Sequence, residues 1–290
     1  MSHLAGYVAL CLLLTTVCPA AAQQREQKKE PVFDYSAYAA VLEEYVNDRG
    51  MVDYRTLKQH PGKFNSFLRT EFNSFLRSVA RLDRSTYRDW PRDSKVAFLI
   101  NAYNAITMKI IIDHYPIEAG WLGSVRYPSN SIQQISGAFD GIEHAVMGRQ
   151  MTLDEIEHET LRQDFNEPRI HLALVCAAMS CPTLRDEPFV GPRLEAQFED
   201  QAEDFVHWND NFRISRSDDT VYVSSIFKWF GEDFIETYGT SRKFSGHSAK
   251  VRAVLNYLEE FLSEADRRYL RTADYSVEYI DYDWTLNEQK

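Results

Sequence analysis

The 290-residue chain is 44% hydrophobic and 26% charged, with 43 acidic against 32 basic residues and a formal charge of −11. Such a surface disfavours general nucleic-acid binding, which needs clustered cations to neutralise phosphates, and leaves enzyme and binding module equally open. About 270 residues remain once an N-terminal leader is set aside, ample for one large domain or two small ones.

The leader is MSHLAGYVALCLLLTTVCPAAA. It has an apolar core over Val8–Val17 and an A-x-A cleavage site at Ala20-Ala21-Ala22, so residues 1–22 read as a signal peptide. An uncleaved anchor is the alternative, because the uncharged run approaches the roughly 20 residues that span a bilayer. No other apolar run is expected to span one. Cleavage implies a periplasmic or secreted protein with no stable membrane insertion. It also removes Cys11 and Cys18, leaving Cys176 and Cys181 in an oxidising compartment. Residues 23–32 read as a polar tether and 33–290 as a single domain.

DYSAYAAVLEEYV has helical spacing, with Asp34 or Ser36 as the N-cap. NDRGMVDYRTL reads as a turn into a short extended piece. KFNSFLRT and EFNSFLRS are a tandem near-copy, expected to lengthen one helix with Phe64, Leu68, Phe72, Phe75, Leu76 and Val79 on one broad side. SKVAFLINAYNAITMKIIIDHYP is the strongest helix. It opens after Pro91 with Asp93 or Ser94 as cap, ends before Pro116, and is apolar nearly all round, hence buried. SGAFDGIEHAVMGRQ suggests a hairpin leading into MTLDEIEHETLR, a helix capped by Thr152 or Asp154.

Arg169–Cys176 is too short for periodicity to separate a buried strand from a helix. GPRLEAQFEDQAEDFVHW is an amphipathic helix and NFRISRSDDTVYVSSIF a hairpin. FKWFGEDFIETYG and HSAKVRAVLNYLEEFLSEADRRYL are helical, and VEYIDYDWTLN alternates as a terminal strand. The expected class is α+β: one helix-rich domain with a small mixed or antiparallel sheet.

The chemistry centres on RIHLALVCAAMSCPTLR, which holds both remaining cysteines. On a strand, His171 and Cys176 point to opposite faces; on a helix they lie about 140° apart. An imidazole for either thiol must therefore come from elsewhere: His158, His144 or His114, or His171 with Cys181. Four readings stand. A Cys176–Cys181 disulfide closes a small ring worth ~2 kcal/mol. A reversible redox pair uses the same bond. A hydrolase or acyl transferase of papain-like logic uses one sulfur as nucleophile. A metal site needs two further ligands, such as His158 and His171, and no zinc-type spacing is present. Asn101 and Asn104 share a helical face. As buried amides they must find partners, either clamping a loop or orienting a ligand. Arg169 and Arg185 bracket the cysteine stretch and offer a carboxylate site or plain surface pairs. No Walker loop, G-x-G-x-x-G or G-x-S-x-G occurs.

AFLINAYNA (97–105), EIEHETLR (155–162), RIHLALVCAAMSCPTLR (169–185), SSIFKWFGEDF (224–234) and YIDYDWTLN (279–287) occur in one order. Together with VNDRGMVDYRTL (46–57) they resemble the domain-of-unknown-function 547 family across residues 33–287. Leu99 departs from that pattern, where Trp is expected. The resemblance implies export, which bacterial members often share. It hints at thiol chemistry, because some eukaryotic members carry a glutaredoxin-like domain. It places Asn101, Asn104, Glu157, His158, His171, Cys176, Cys181 and Pro182 on the family's strongest patterns.

The expected function is a thiol-dependent enzyme, either a cysteine hydrolase or transferase or a thiol redox protein. Cys176 or Cys181 supplies the sulfur and His171 or His158 the base, while Asn101, Asn104, Glu157 and Arg185 bind substrate. No metal or cofactor is expected, and the partner is a small molecule or peptide. The alternative is a non-catalytic binding domain in which the same residues form a structural disulfide or a buried polar knot.

Overall fold

The computed structural model describes residues 32–59, 63–119, 125–208 and 211–290. The expected signal peptide and all but the end of the tether lie outside them. Helix α1 (Ser36–Tyr45), α2 (Tyr54–Gln59), α3 (Lys63–Arg81) and the short α4 (Arg84–Arg88) precede α5 (Arg92–His114). On α5, Val96 to Met108 is buried without interruption. The helix is long and apolar enough to cross a membrane, which corrects the expectation that no run beyond the leader is. Yet 89% of its most apolar window is buried inside the protein, so it serves as the core helix. Its N-cap is Pro91, with no side-chain cap; Ser94 instead faces Gly191. A Cβ on Gly191 would lie 2.3 Å from Ser94 Oγ, so only glycine allows that approach. Helix α1 is capped at Tyr35 without a side-chain bond, while Asp34 accepts from the Ser36 amide one step earlier.

The tandem copies do not share a face. Eight residues rotate a helix by about 80° net, so Phe75 is buried and stacks on Tyr38 at 4.5 Å, while its counterpart Phe67 is 56% exposed. Leu68, Phe72 and Val79 join Phe75 in the core, and Leu76 is half-buried. The side chain of Phe64 lies outside the described residues.

Strands β1 (His144–Val146) and β2 (Arg149–Met151) form the expected hairpin. Both turn residues, Met147 and Gly148, have positive φ, which matches the twist of the flanking strands. Thr152 then accepts from the Glu155 amide, and the Glu155 carboxylate accepts from the Thr152 amide, a reciprocal cap. The helix that follows is a π-turn over Glu155–Leu161, continued by α6 (Arg162–Phe165) and closed by Asn166 in the left-handed region.

Arg169–Cys176 is neither strand nor α-helix. A 3-10 turn over Pro168–Leu172 passes into irregular backbone. Asn104 takes the place of a strand partner there, donating to Ala173 C=O at 3.0 Å and accepting from Val175 N–H at 2.9 Å. Beyond the cysteines come α7 (Leu194–Trp208), then β3 (Phe212–Ser215) and β4 (Thr220–Ser224), an antiparallel pair. The expected FKWFGEDFIETYG helix divides into α8 (Ser225–Phe230) and α9 (Phe234–Tyr238) around a 3-10 turn at Gly231–Asp233. Helices α10 (Ala249–Leu258) and α11 (Glu264–Thr272) precede β5 (Ser276–Ile280), which pairs parallel to β4. The class is α+β with a small mixed sheet.

Two buried clusters make up the interior. One surrounds α5; the other lies between α7, the three-stranded sheet and α8–α10. Ile170 belongs to the first and Leu172 to the second, while Tyr282 packs against both. Beyond β5 the chain returns to the cysteine loop: Met179 N–H bonds Thr285 C=O, Ser180 N–H bonds Asp283 C=O, and Asn287 N–H bonds Ala177 C=O. The expected terminal strand therefore stops at Ile280, because the residues beyond it pair with a loop instead of a sheet.

Candidate functional site

A cleft of about 270 Å³ opens at the joint between the two clusters. The cysteine loop forms one wall. Cys176 and Cys181 are disulfide-bonded, with Cα atoms 6.2 Å apart. Ala177, at φ 59°, turns the chain sharply after Cys176. That turn aims the amides of Cys176 and Ala178 at Cys181 Sγ, at 3.0 and 3.4 Å. The Tyr282 hydroxyl donates to the same sulfur at 3.2 Å and lies 3.1 Å from Cys176 Sγ. The two sulfurs are thus inequivalent. Cys181 is 3% exposed under three donors, while Cys176 is half-buried and lines the cleft.

The opposite wall comes from the π-turn, which presents both Glu157 and His158 to the cleft. Glu157 is buried and hydrogen-bonded by the Tyr103 hydroxyl. Burial in this apolar setting raises its pKa from 4.5 to about 7, against the smaller lowering effect of Tyr103. The His158 ring lies 3.9 Å from Asp154 and 4.0 Å from Glu157, and its own pKa is lowered, first by burial.

His171 is held from three sides. Its Nε2 is 2.8 Å from Asp233 Oδ2, its Nδ1 is 3.7 Å from Glu157 Oε1, and its ring stacks on Phe230 at 4.2 Å. Arg162 forks both oxygens of Asp233 at 2.7 and 2.8 Å. Despite its burial, Asp233 is held well below the usual carboxylate range by these two partners. Burial keeps the His171 imidazole below its ordinary pKa, outweighing the upward pull of Asp233. An ionised Asp233 can only accept, so the neutral imidazole carries its proton on Nε2 and turns the Nδ1 lone pair toward Glu157. That places a proton acceptor beside a carboxyl that titrates near neutrality.

Cys176, Glu157, His158 and His171 therefore share one cleft. Asn101 and Asn104 do not line it. Asn101 donates to Phe189 C=O at 2.7 Å and accepts from Phe189 N–H at 3.0 Å, and both amides are spent on loop backbone. Arg185 lies elsewhere, paired with Glu187 at 2.9 Å and Asp200 at 3.5 Å. Arg169 is tied to Glu167 and Glu195, and His114 caps its own helix through Ile110 C=O. His144 on β1 is half-buried and outside the cleft lining. Among the described residues, no cluster of three His, Cys, Asp or Glu side chains is arranged to hold a metal.

Sequence reasoning had no role for Tyr103, Phe230, Trp229, Tyr282 or Trp284, all of which line the cleft. They sit in NAYNA, KWFGED and YDW, where nothing in the spacing of an aromatic separates a cleft wall from the core. Asp233 lies in the same KWFGED motif, and nothing local in the sequence pairs it with His171 or Arg162.

The family model described as "Protein of unknown function, DUF547" matches residues 87–206. That segment spans α5, the π-turn and the cysteine loop, and is shorter than the 33–287 over which the motifs resemble the family. Asp233, Phe230, Trp229, Tyr282 and Trp284 lie beyond it. No curated protein and no solved structure matches the chain.

Proposed function

We propose, for a chain whose residues 87–206 match the DUF547 family, thiol–disulfide exchange at the Cys176–Cys181 pair, carried out after export into an oxidising compartment. The observation that carries this is the inequivalence of the two sulfurs: one at the wall of a cleft, the other buried under three donors. An incoming thiolate attacks Cys176 Sγ in line with the S–S bond. A mixed disulfide forms at Cys176, the S–S bond breaks, and its electron pair leaves with Cys181. The Cys176 and Ala178 amides and the Tyr282 hydroxyl stabilise that charge, and a more stable thiolate leaves faster. The second thiol of a dithiol substrate then attacks its own sulfur in the mixed disulfide and releases Cys176. The net change is protein disulfide plus substrate dithiol to protein dithiol plus substrate disulfide, and the reverse reaction restores the pair.

Glu157 takes up the proton of the incoming thiol and returns it to the departing one. A carboxyl titrating near 7 suits both directions. His171, its Nε2 fixed by Asp233, supports Glu157 through Nδ1. A hydrolase using Cys176 as nucleophile would first need the S–S bond reduced. In the binding-domain reading, the disulfide only holds the loop in place.

The test is differential alkylation. The native protein is treated with a mild dithiol, the pH dependence of labelling is followed, and the peptide spanning Arg169–Arg185 is read by mass spectrometry. Exchange predicts ready reduction of the folded protein and faster labelling at Cys176 than at Cys181. A bond that reduces only on unfolding would make the loop a staple and favour the binding domain. An N-terminus at Gln23 in the exported protein would test the leader.

A further inference from the structure

We propose that the cleft selects cationic thiols and disulfides, small compounds with an ammonium group two or three bonds from sulfur. This names a substrate class for the exchange reaction above and rests on that reading.

The cleft's charges all favour a cation. Its titratable lining is Asp154, Glu157, His158 and His171 with the tyrosines, and among the described residues no lysine or arginine lines it. Both imidazoles are held toward the neutral form by burial. The guanidinium beside His158, that of Arg162, has its charge forked onto Asp233. An entering anion would meet carboxylates with no cation to answer them.

The aromatic side chains divide into two groups. Phe230 is occupied by His171 and by the Arg162 guanidinium, 5.3 Å from its centroid. Among the described residues no cation lies over Trp229, Tyr282 or Trp284. Their centroids lie 4.9, 4.7 and 6.3 Å apart with planes inclined by 55°, 53° and 31°, which makes a corner and not a flat stack. Trp229 is 45% exposed. Rings meeting at an angle on the wall of a cleft that also holds the carboxyl groups of Asp154 and Glu157 offer the chemistry that recognises ammonium groups.

Tyr282 links this corner to the disulfide. Its ring is one side of the corner and its hydroxyl touches both sulfurs. An ammonium seated against the ring therefore sits within one side chain's length of Cys176 Sγ, which sets the short spacing between nitrogen and sulfur. The volume agrees: about 270 Å³ is at the small end of ligand pockets and suits a compact molecule over a folded partner.

The reduced protein is tested against three disulfides: cystamine, which is dicationic; bis(2-hydroxyethyl) disulfide, which is neutral; and dithiodiglycolate, which is dianionic. Each rate is divided by that of the same disulfide with free dithiothreitol, which removes intrinsic reactivity. In every case the protein dithiol is oxidised to the disulfide as the probe is reduced to two thiols. The expected order is cationic over neutral by tenfold or more, with the anionic probe slowest. High salt should shrink the spread, and Trp284→Leu should reduce it at constant salt. Equal normalised rates, or a preference for the anion, would overturn the cation proposal and leave exchange standing. Titrating the tryptophan fluorescence of the oxidised protein with tetramethylammonium, against tert-butanol as a neutral control, separates the two ideas. If no disulfide reacts, exchange falls. A saturable response to tetramethylammonium alone would then keep the cation site, and its absence would remove that too.

Discussion

Asn101 and Asn104 on α5 and Glu157 on the π-turn are all buried polar side chains, 1%, 3% and 9% exposed. The two amides each make a pair of bonds to loop backbone. They behave as fragments of β-ladder supplied by a side chain, with both the nitrogen and the oxygen of each amide turned to a loop and away from the cleft. Glu157 has one hydroxyl partner, two imidazoles at 3.7 and 4.0 Å, and a cleft. The difference teaches that a polar group bonded through both of its atoms to backbone builds the fold, while a titratable one beside a cavity keeps a proton in play. Burial alone does not tell the two apart.

The largest expected effect falls on the amide side. Asn104→Ala leaves the Ala173 carbonyl and the Val175 amide buried without their partner. Each such group costs about 1–3 kcal/mol, so the fold should lose about 3 kcal/mol in a urea titration. A loss under 1 kcal/mol would break the comparison, since the amide would then be dispensable to the loop.

The next falls on Glu157. Its folded pKa is raised, so between pH 4.5 and about 7 the folded state holds a proton that the unfolded state has released. Stability from this group therefore falls as pH rises through that window, by roughly 3 kcal/mol in all. Glu157→Gln should remove the decline and be the more stable protein at pH 8. Parallel pH profiles for variant and wild type would mean that Glu157 is an ordinary carboxylate. The same substitution should abolish any inflection near pH 7 in the exchange rate.

The smallest effect concerns the cysteines. Cys176→Ser and Cys181→Ser each open the same small ring, worth about 2 kcal/mol by loop closure, and their urea midpoints should nearly coincide. In function they should differ. With Cys176 retained and Cys181→Ser, a symmetric disulfide probe should lose one half as a free thiol and leave the other trapped on Cys176 as a stable mixed disulfide, whereas Cys176→Ser should trap little. Equal trapping would remove the inequivalence on which the mechanism stands.

What the sequence revealed depended on how local the cause was. Helix α5 was legible because an apolar run bounded by Pro91 and Pro116 specifies a buried helix by itself. The β1–β2 hairpin and the Thr152–Glu155 cap were legible through turn and cap residues only a few positions apart. The course of Arg169–Cys176 was not, because its backbone is paired by Asn104, some 70 residues earlier in the chain. The π-turn was read as an α-helix: EIEHETL has nothing to mark a wider turn, yet that turn presents both Glu157 and His158 to the cleft. Within the site, family motifs drew attention to Glu157, His158, His171 and the cysteines. The partnership of His171 with Asp233, and that of Tyr282 with the sulfurs, joins segments that meet only when both clusters have formed.

The pairing of the cysteine loop with residues 282–287 has a consequence for the order in which the protein is made. A chain synthesised from its N-terminus carries both thiols about a hundred residues ahead of the segment that seats them, an interval of roughly 5–20 s at ordinary elongation rates. During it neither sulfur has Tyr282 above it, and no later backbone braces the loop. The two cysteines must therefore find each other, or be kept apart, by local chain geometry and by whatever oxidant is present. The cleft that distinguishes the two sulfurs is complete only once that last segment docks.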